Sequence, residues 1–257
     1  MKKKLLTLAA AASIALLSGC ASVPNDSGKN PADPWESFNR QTFAFNQGLD
    51  FILFRPIAKG YEFVTPKPVR EGVTRVFKNT MEPANAVNNI LQGKVEDGIL
   101  SLFRLMINST VGVVGIFDVA KQVDIPRMEE DFGQTLAVWG VPSGPYFVIP
   151  VLGPSTVRDT AGLVPELFLD PNTYVGEAWF TWPWWGAKFI NARANLLPVT
   201  DMLDNTVDPY VATRNAYLQQ RQSALQDGDG PAMIQEPTLN PFDDEPSADA
   251  AKKENSQ

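Results

Sequence analysis

The residues able to carry covalent chemistry in this 257-residue chain are few. There is no histidine and one cysteine, Cys20. That count removes Ser-His-Asp and Cys-His nucleophile systems, histidine- or thiolate-ligated metals and any internal disulfide. The densest acid run, Glu129-Glu130-Asp131, is the remaining candidate for general acid–base work on a lipid ester. Acid runs of this kind are usually solvated faces, and no serine elbow accompanies this one. Cys20 has a specific setting instead. Lys2, Lys3 and Lys4 form a basic leader, Leu5 to Leu17 an apolar segment, and Leu17-Ser18-Gly19 a small-residue cleavage site ending at the thiol. This order reads as a bacterial lipoprotein signal, with Cys20 the acylated lipid anchor. Each buried methylene of an acyl chain adds about 0.8 kcal/mol to membrane attachment. Ala21 follows, where an aspartate would favour retention at the inner membrane, so the expected address is the periplasmic face of a Gram-negative outer membrane.

The sequence divides into four segments: a leader (1–19), a tether rich in Ser, Asn, Asp, Gly and Pro (20–34), a body (35–226) and an acidic tail (227–257). Loss of the leader takes the net charge from −7 to −10, of which the tail carries −6. With four prolines and almost no aromatics, the tail is expected to be disordered. The acidic balance argues against nucleic acid as a partner. The body, by contrast, has the apolar content to bury a core; the whole chain is 44% hydrophobic and 20% charged.

Helical spacing dominates the body. Val87, Ile90, Leu91, Val95, Ile99, Leu102, Phe103 and Met106 predict one stripe of a long helix. Val69, Val73, Val76 and Phe77 predict a shorter one, started by Pro68. Trp35, Phe38, Phe45, Leu49 and Ile52 form a third stripe in a helix from Trp35 to Phe54, and Phe43, Phe51 and Phe54 lie outside that stripe. A helix apolar over so wide an arc is either buried on all sides or in contact with lipid. Ile99 to Phe117 is almost continuously apolar, but Arg104, Asn108, Ser109 and Thr110 rule out a simple spanning helix: a central arginine costs about 2.5–3.5 kcal/mol. Gly112 and Gly115 permit close backbone approach. Trp179, Trp182, Trp184 and Trp185 cluster around Pro183, a composition suited to a membrane–water interface, and Lys188 follows one turn later, placed to snorkel or to enter a polar cavity. The proline-rich stretch from Val141 to Ser155 predicts a loop wedged between helices.

Specific residue strings accompany this pattern. They include Asp33-Pro34-Trp35-Glu36-Ser37-Phe38-Asn39-Arg40, Asn79-Thr80-Met81-Glu82-Pro83, Leu91-Gln92-Gly93, and Asn108-Ser109-Thr110 with Phe117-Asp118-Val119-Ala120. Further along come Glu130-Asp131-Phe132-Gly133-Gln134-Thr135-Leu136, Gly144-Pro145-Tyr146, Gly153-Pro154-Ser155, Arg158-Asp159, and Asp208-Pro209-Tyr210 with Arg214 and Tyr217. In order and over about residues 33–218, the chain resembles the MlaA (VacJ) family of outer-membrane lipoproteins. The resemblance implies an all-α fold: a ring-shaped bundle of amphipathic helices, half-embedded in the inner leaflet of the outer membrane around a central polar channel. It implies removal of mislocalised phospholipid from the outer leaflet and delivery to a soluble periplasmic carrier, beside a trimeric porin. No catalytic residue, cofactor or metal is then called for. Polar groups inside such a protein are candidates for the lipid path: Asn39, Arg40, Asn46, Gln47, Arg104, Asn108, Lys188, Arg193 and Arg214. A purely structural lipoprotein and a carboxylate-based lipid hydrolase are the competing readings.

Overall fold

The computed structural model describes residues 28, 30–174 and 177–226. Cys20, the leader, most of the tether and the acidic tail lie outside the described residues. The chain forms two units, one ending at Tyr217 and the other starting at Leu218. In the second, Leu218 to Leu225 is helical.

The first unit is mostly helical. Helix α1 (Glu36–Leu49) runs into a π-helical turn (Asp50–Phe54) and on into α2 (Arg55–Val64). The predicted Trp35–Phe54 helix is therefore part of a longer element. Pro56 explains the wide turn, because its ring displaces the carbonyl four residues back and it has no N–H to donate. Thr65 is extended ahead of Pro66, ending α2, and α3 (Lys67–Thr80) follows with Pro68 in its first turn.

The long helix predicted from Val87 to Met106 is instead two: α4 (Glu82–Leu91) and α5 (Val95–Thr110), packed against each other. Gly93 separates them at φ +85°. The Gly93 amide donates to Ile90 O (3.0 Å) and the Lys94 amide to Asn89 O (2.9 Å), a Schellman closure that only a residue comfortable in the left-handed region completes cheaply. The apolar run to Phe117 likewise leaves the helix at Thr110. Short α6 (Val119–Gln122) and α7 (Phe132–Val138) follow; Asp131 and Gln134 form a reciprocal capping box at the start of α7.

The stretch predicted as a wedged loop contains an antiparallel hairpin, β1 (Tyr146–Ile149) and β2 (Gly153–Thr156), with Tyr146 opposite Thr156 and Val148 opposite Pro154. The fold is thus predominantly helical, with this short two-stranded hairpin the one sheet among the described residues. Proline is tolerated here because a two-stranded hairpin has only edge strands. The remaining α-helices are α8 (Val157–Leu169), α9 (Ala178–Asn195), α10 (Leu197–Asp204) and α11 (Pro209–Leu225), with a 3-10 turn (Pro171–Tyr174) after α8. Helix α9 packs on α2 and α3, and α8 on α7.

The burial pattern inverts that of an ordinary soluble helical protein. Among the described residues, 25 buried side chains are polar or charged and ten are apolar or aromatic, half of those being alanine. The predicted stripe from Val87 to Met106 faces outward along its whole length, while Asn85, Asn88, Asn89, Ser101, Arg104 and Asn108 face inward. Phe51, Ile52, Phe63, Trp179, Trp182 and Met202 are each more than two-thirds exposed. No described helix is long and apolar enough to cross a membrane.

Candidate functional site: an ion-paired polar interior

Arg104 is the most enclosed of the predicted cations, with 1% of its surface exposed. Its Nε donates to Glu82 Oε1 (3.1 Å) and its Nη2 to both oxygens of Asp118 (2.8 and 2.9 Å); Nη1 donates to the Ile125 carbonyl. Asn108, one turn further along α5, donates to Asp118 (3.1 Å) and accepts from the Ala120 amide (2.9 Å). Burial pushes the Asp118 carboxyl up, but the Arg104 guanidinium, the Lys121 amide and Asn108 outweigh it and hold it below the usual carboxylate range. Glu82, wholly buried, also receives Arg127 (2.9 Å). One arginine thereby joins α4, α5 and the connection to α6.

Arg40 makes a second centre. It donates to Glu36 (2.8 Å) and bidentately to Asp208 (2.7 and 3.3 Å), and its guanidinium lies 4.5 Å from the Tyr210 ring centroid. Burial raises the Asp208 carboxyl, yet Arg40 and the α11 amides bring it below its ordinary value. Beside it, fully buried Asp33 accepts from Tyr210 Oη (2.5 Å), Arg214 Nη1 (2.8 Å) and Asn39 Nδ2 (2.8 Å). Burial first, and then the hydrogen bond to Asp33, push the Tyr210 hydroxyl far above its normal pKa.

The other predicted residues take individual positions. Asn39 and Asn46 hold β1 by its backbone, and Gln47 donates to Asp204 (3.4 Å). Arg193 clasps Asp50 with two bonds (2.6 and 2.7 Å) and reaches Thr200 (3.0 Å). Lys188 meets Asp170 (3.3 Å) and Met81 Sδ (3.1 Å) and stands 4.8 Å from the Trp185 ring centroid. With a quarter of its side chain exposed, Lys188 is the most accessible of the predicted cations with ion pairs. The structure thus brings Asn39, Arg40 and Arg214 into one cluster with Asp33 and Tyr210, Arg104 and Asn108 into another, and Lys188 and Arg193 into separate pairs.

The tryptophan cluster splits. Trp179 and Trp182 are about three-quarters exposed, whereas Trp184 is half-buried edge-on to Phe77 and Trp185 lies under Lys188. Each member of the acid run has a structural partner. Glu129 pairs with Lys78 (2.5 Å), Glu130 with Lys94 (2.9 Å) and Gln92 (2.9 Å), and Asp131 caps α7.

Sequence spacing did not reveal the acidic halves of these pairs. Asp33, Asp50, Glu82, Asp118 and Asp170 meet their partners across 181, 143, 22, 14 and 18 residues respectively. For three of them the available signal was a place inside the residue strings quoted above, Asp33-Pro34, Glu82-Pro83 and Phe117-Asp118; Asp50 and Asp170 lay outside every string.

These features define a class: a predominantly helical protein built inside out, with ion pairs within and apolar faces without. The MlaA lipoprotein family matches residues 31–224, and the chain belongs to that family. It is 35% identical over 235 residues to the intermembrane phospholipid transport system lipoprotein MlaA of Escherichia coli K12, covering 88% of this chain and 91% of that one. It is 39% identical over 196 residues to a protein of Rickettsia felis, covering 76% and 78% respectively. A solved chain from work on the structural basis for maintenance of bacterial outer membrane lipid asymmetry is 34% identical, with a TM-score of 0.66, and overlaps 75% of this chain and 98% of its own length.

Proposed function

We propose that this protein is an outer-membrane lipoprotein that withdraws mislocalised phospholipid from the outer leaflet and passes it to a soluble periplasmic lipid carrier, preserving lipid asymmetry. Cys20 supplies the anchor, a trimeric porin is the neighbour in the membrane, and the helical unit is half-immersed in the inner leaflet around a polar channel. The observation that carries this reading is the inverted burial. An exterior of exposed Val, Ile, Leu, Phe and Trp is costly in water and favourable in acyl chains, and a polar interior suits a headgroup that must cross an apolar layer. Trp179 and Trp182 serve as interfacial anchors, with half-buried Trp184 and Trp185 behind them on the same helix.

The path needs wetted polar groups and no bond cleavage. Lys188 is the residue that touches the headgroup phosphate, because its ammonium is held by one carboxylate and remains partly open. Arg40, Arg104, Arg193 and Arg214 keep the wall in place through their carboxylate partners, with Asn39, Asn46, Gln47 and Asn108 fixing the backbone around them.

The test is the phospholipid content of the outer leaflet in a strain deleted for the gene, with and without the wild-type copy. A rise that the copy reverses supports transport. Free fatty acid released by the purified protein identifies a hydrolase, and an unchanged leaflet with no co-purifying phospholipid identifies a scaffold. Immersion is read separately, by quenching of Trp179 and Trp182 fluorescence with brominated acyl chains.

A further inference from the structure

The connection from α5 to α6 presents five apolar side chains, Val111, Val113, Val114, Ile116 and Phe117, all exposed. Val113 and Val114 stand at φ +52° and +58°. β-Branched residues avoid this left-handed region, which Asn or Gly enters readily. The turn is nevertheless firmly built. The Gly115 amide donates to Asn108 O (2.7 Å) and the Phe117 amide to Gly112 O (2.9 Å), and a Cβ on Gly115 would come within 2.6 Å of Asn79. Two adjacent valines are thus held in a conformation they resist, with their side chains projecting outward. Strain of this kind concentrates where a surface is used.

At the base of the turn a cavity of about 450 Å³ is lined by Arg75, Phe117, Asp118, Lys121 and Gln122. Its one carboxylate is already neutralised, since Arg104 engages both Asp118 oxygens. Arg75 uses Nε on the Ile116 carbonyl (2.7 Å), and its Nη1 lies a loose 3.8 Å from Glu71. Lys121 is exposed, and among the described residues no carboxylate or carbonyl holds its ammonium. The cavity therefore combines two available cations with an aromatic wall, beneath an apolar finger.

We propose that this corner is a binding site for one phospholipid, its phosphodiester held between Arg75 and Lys121 and its acyl chains lying along Val111, Val113, Val114 and Phe117. The charge and the apolar surface are complementary to that ligand and to few others: a soluble phosphate has no use for the finger, and a neutral lipid has none for the cations. Asp118 turns its carboxylate to Arg104 and Asn108 of the transport path, but the two cations that would hold the lipid, Arg75 and Lys121, are not among its candidates, so the bound lipid fixes the rim of the protein in the leaflet and is not cargo. The proposal rests on the membrane reading above.

The test uses the full-length acylated protein in detergent micelles, followed by native mass spectrometry with added phosphatidylglycerol, dioleoylglycerol or inorganic phosphate. Wild type should retain one phosphatidylglycerol beyond any cargo lipid, and the Arg75→Gln/Lys121→Gln double variant should hold that lipid about tenfold more weakly, while Lys188→Gln leaves it in place. Retention unchanged in the double variant, equal retention of dioleoylglycerol, or displacement by equimolar inorganic phosphate overturns the proposal. The Val113→Asn/Val114→Asn variant is a second arm that does not depend on the cations. Asparagine accepts the left-handed turn, so its melting temperature should hold or rise while lipid retention falls; a rise with retention unchanged marks a merely structural turn and refutes the finger. Bromolipid quenching of Trp179 and Trp182 in vesicles separates the two levels. Quenching preserved alongside unchanged retention in the double variant sinks this site alone, whereas absent quenching sinks the membrane reading and this site with it.

Discussion

Asn39 and Asn46 stand two turns apart on α1, and each amide both donates to and accepts from the backbone of the β1 hairpin. Asn39 receives the Val148 amide (3.0 Å) and donates to the Tyr146 carbonyl (3.0 Å); Asn46 receives the Val151 amide (2.7 Å) and donates to the Ile149 carbonyl (3.0 Å). The periods agree: seven helical residues advance about 10.5 Å and three strand residues about 10 Å. With the Tyr146 amide donating to Ala32 O (2.8 Å), a helix face and the end of the tether close the edge that β2 leaves open.

Asn46→Ala removes two hydrogen bonds at the hairpin loop and should destabilise the protein by about 1–3 kcal/mol. Asn46→Asp keeps the acceptor for Val151 and should lose less. Urea unfolding of the two variants side by side checks the order.

Arg104→Met leaves Glu82 and Asp118 short of their central cation in a closed interior. The expected loss is about 3–5 kcal/mol, the usual cost of breaking a buried pair from one side. Adding Glu82→Gln should recover part of it, because one uncompensated charge is then removed. Denaturant midpoints of the single and double variants decide the matter.

Acid should weaken the fold through Asp118 and Asp208. Both have folded-state pKa values below their ordinary ones, so the unfolded chain binds more protons as pH falls. Their stabilisation is full above the unfolded value of about 3.9 and is lost as pH drops through the folded values. Glu166 has the opposite sign. Burial, which outweighs the hydrogen bonds from Asn88 and the Phe132 amide, raises its carboxyl. Stability therefore falls as pH rises from about 4.3 toward the folded value, and Glu166→Gln should be more stable than wild type at neutral pH. Thermal melts of wild type, Asp208→Asn and Glu166→Gln between pH 3 and 7.5 read both signs.

Cys20→Ser should abolish acylation and leave an uncleaved precursor in the inner membrane. Metabolic labelling with palmitate distinguishes the outcomes: label retained on the serine variant contradicts the anchor.

Truncation after Gln226 removes the acidic tail and should leave the melting temperature within about a degree of wild type, since the tail's composition gives it little to bury. A large drop indicates that the tail docks on the helical unit.

The sequence by itself determined the predominantly helical class, the wide apolar faces and the polar residues set among apolar neighbours. These follow from local periodicity and composition, which every residue reports through its immediate neighbours. It did not determine which way the faces point. The stripe from Val87 to Met106 reads identically whether it packs inward or outward, and only the assembled chain turns it out and buries Arg104, Asn108 and Asn88 behind it. The break at Gly93 passed unseen because the apolar spacing continues across it, although a single left-handed residue reverses the chain. The hairpin was hidden by Pro145, Pro150 and Pro154, which count against a central strand but not against one whose edge is served by Asn39 and Asn46. The pairing of cations with carboxylates was likewise tertiary. Arg214 finds Asp33 across 181 residues, and Arg193 finds Asp50 across 143. Such distances lie beyond any local pattern, and a buried charge is stable only once the whole fold has delivered its counter-charge.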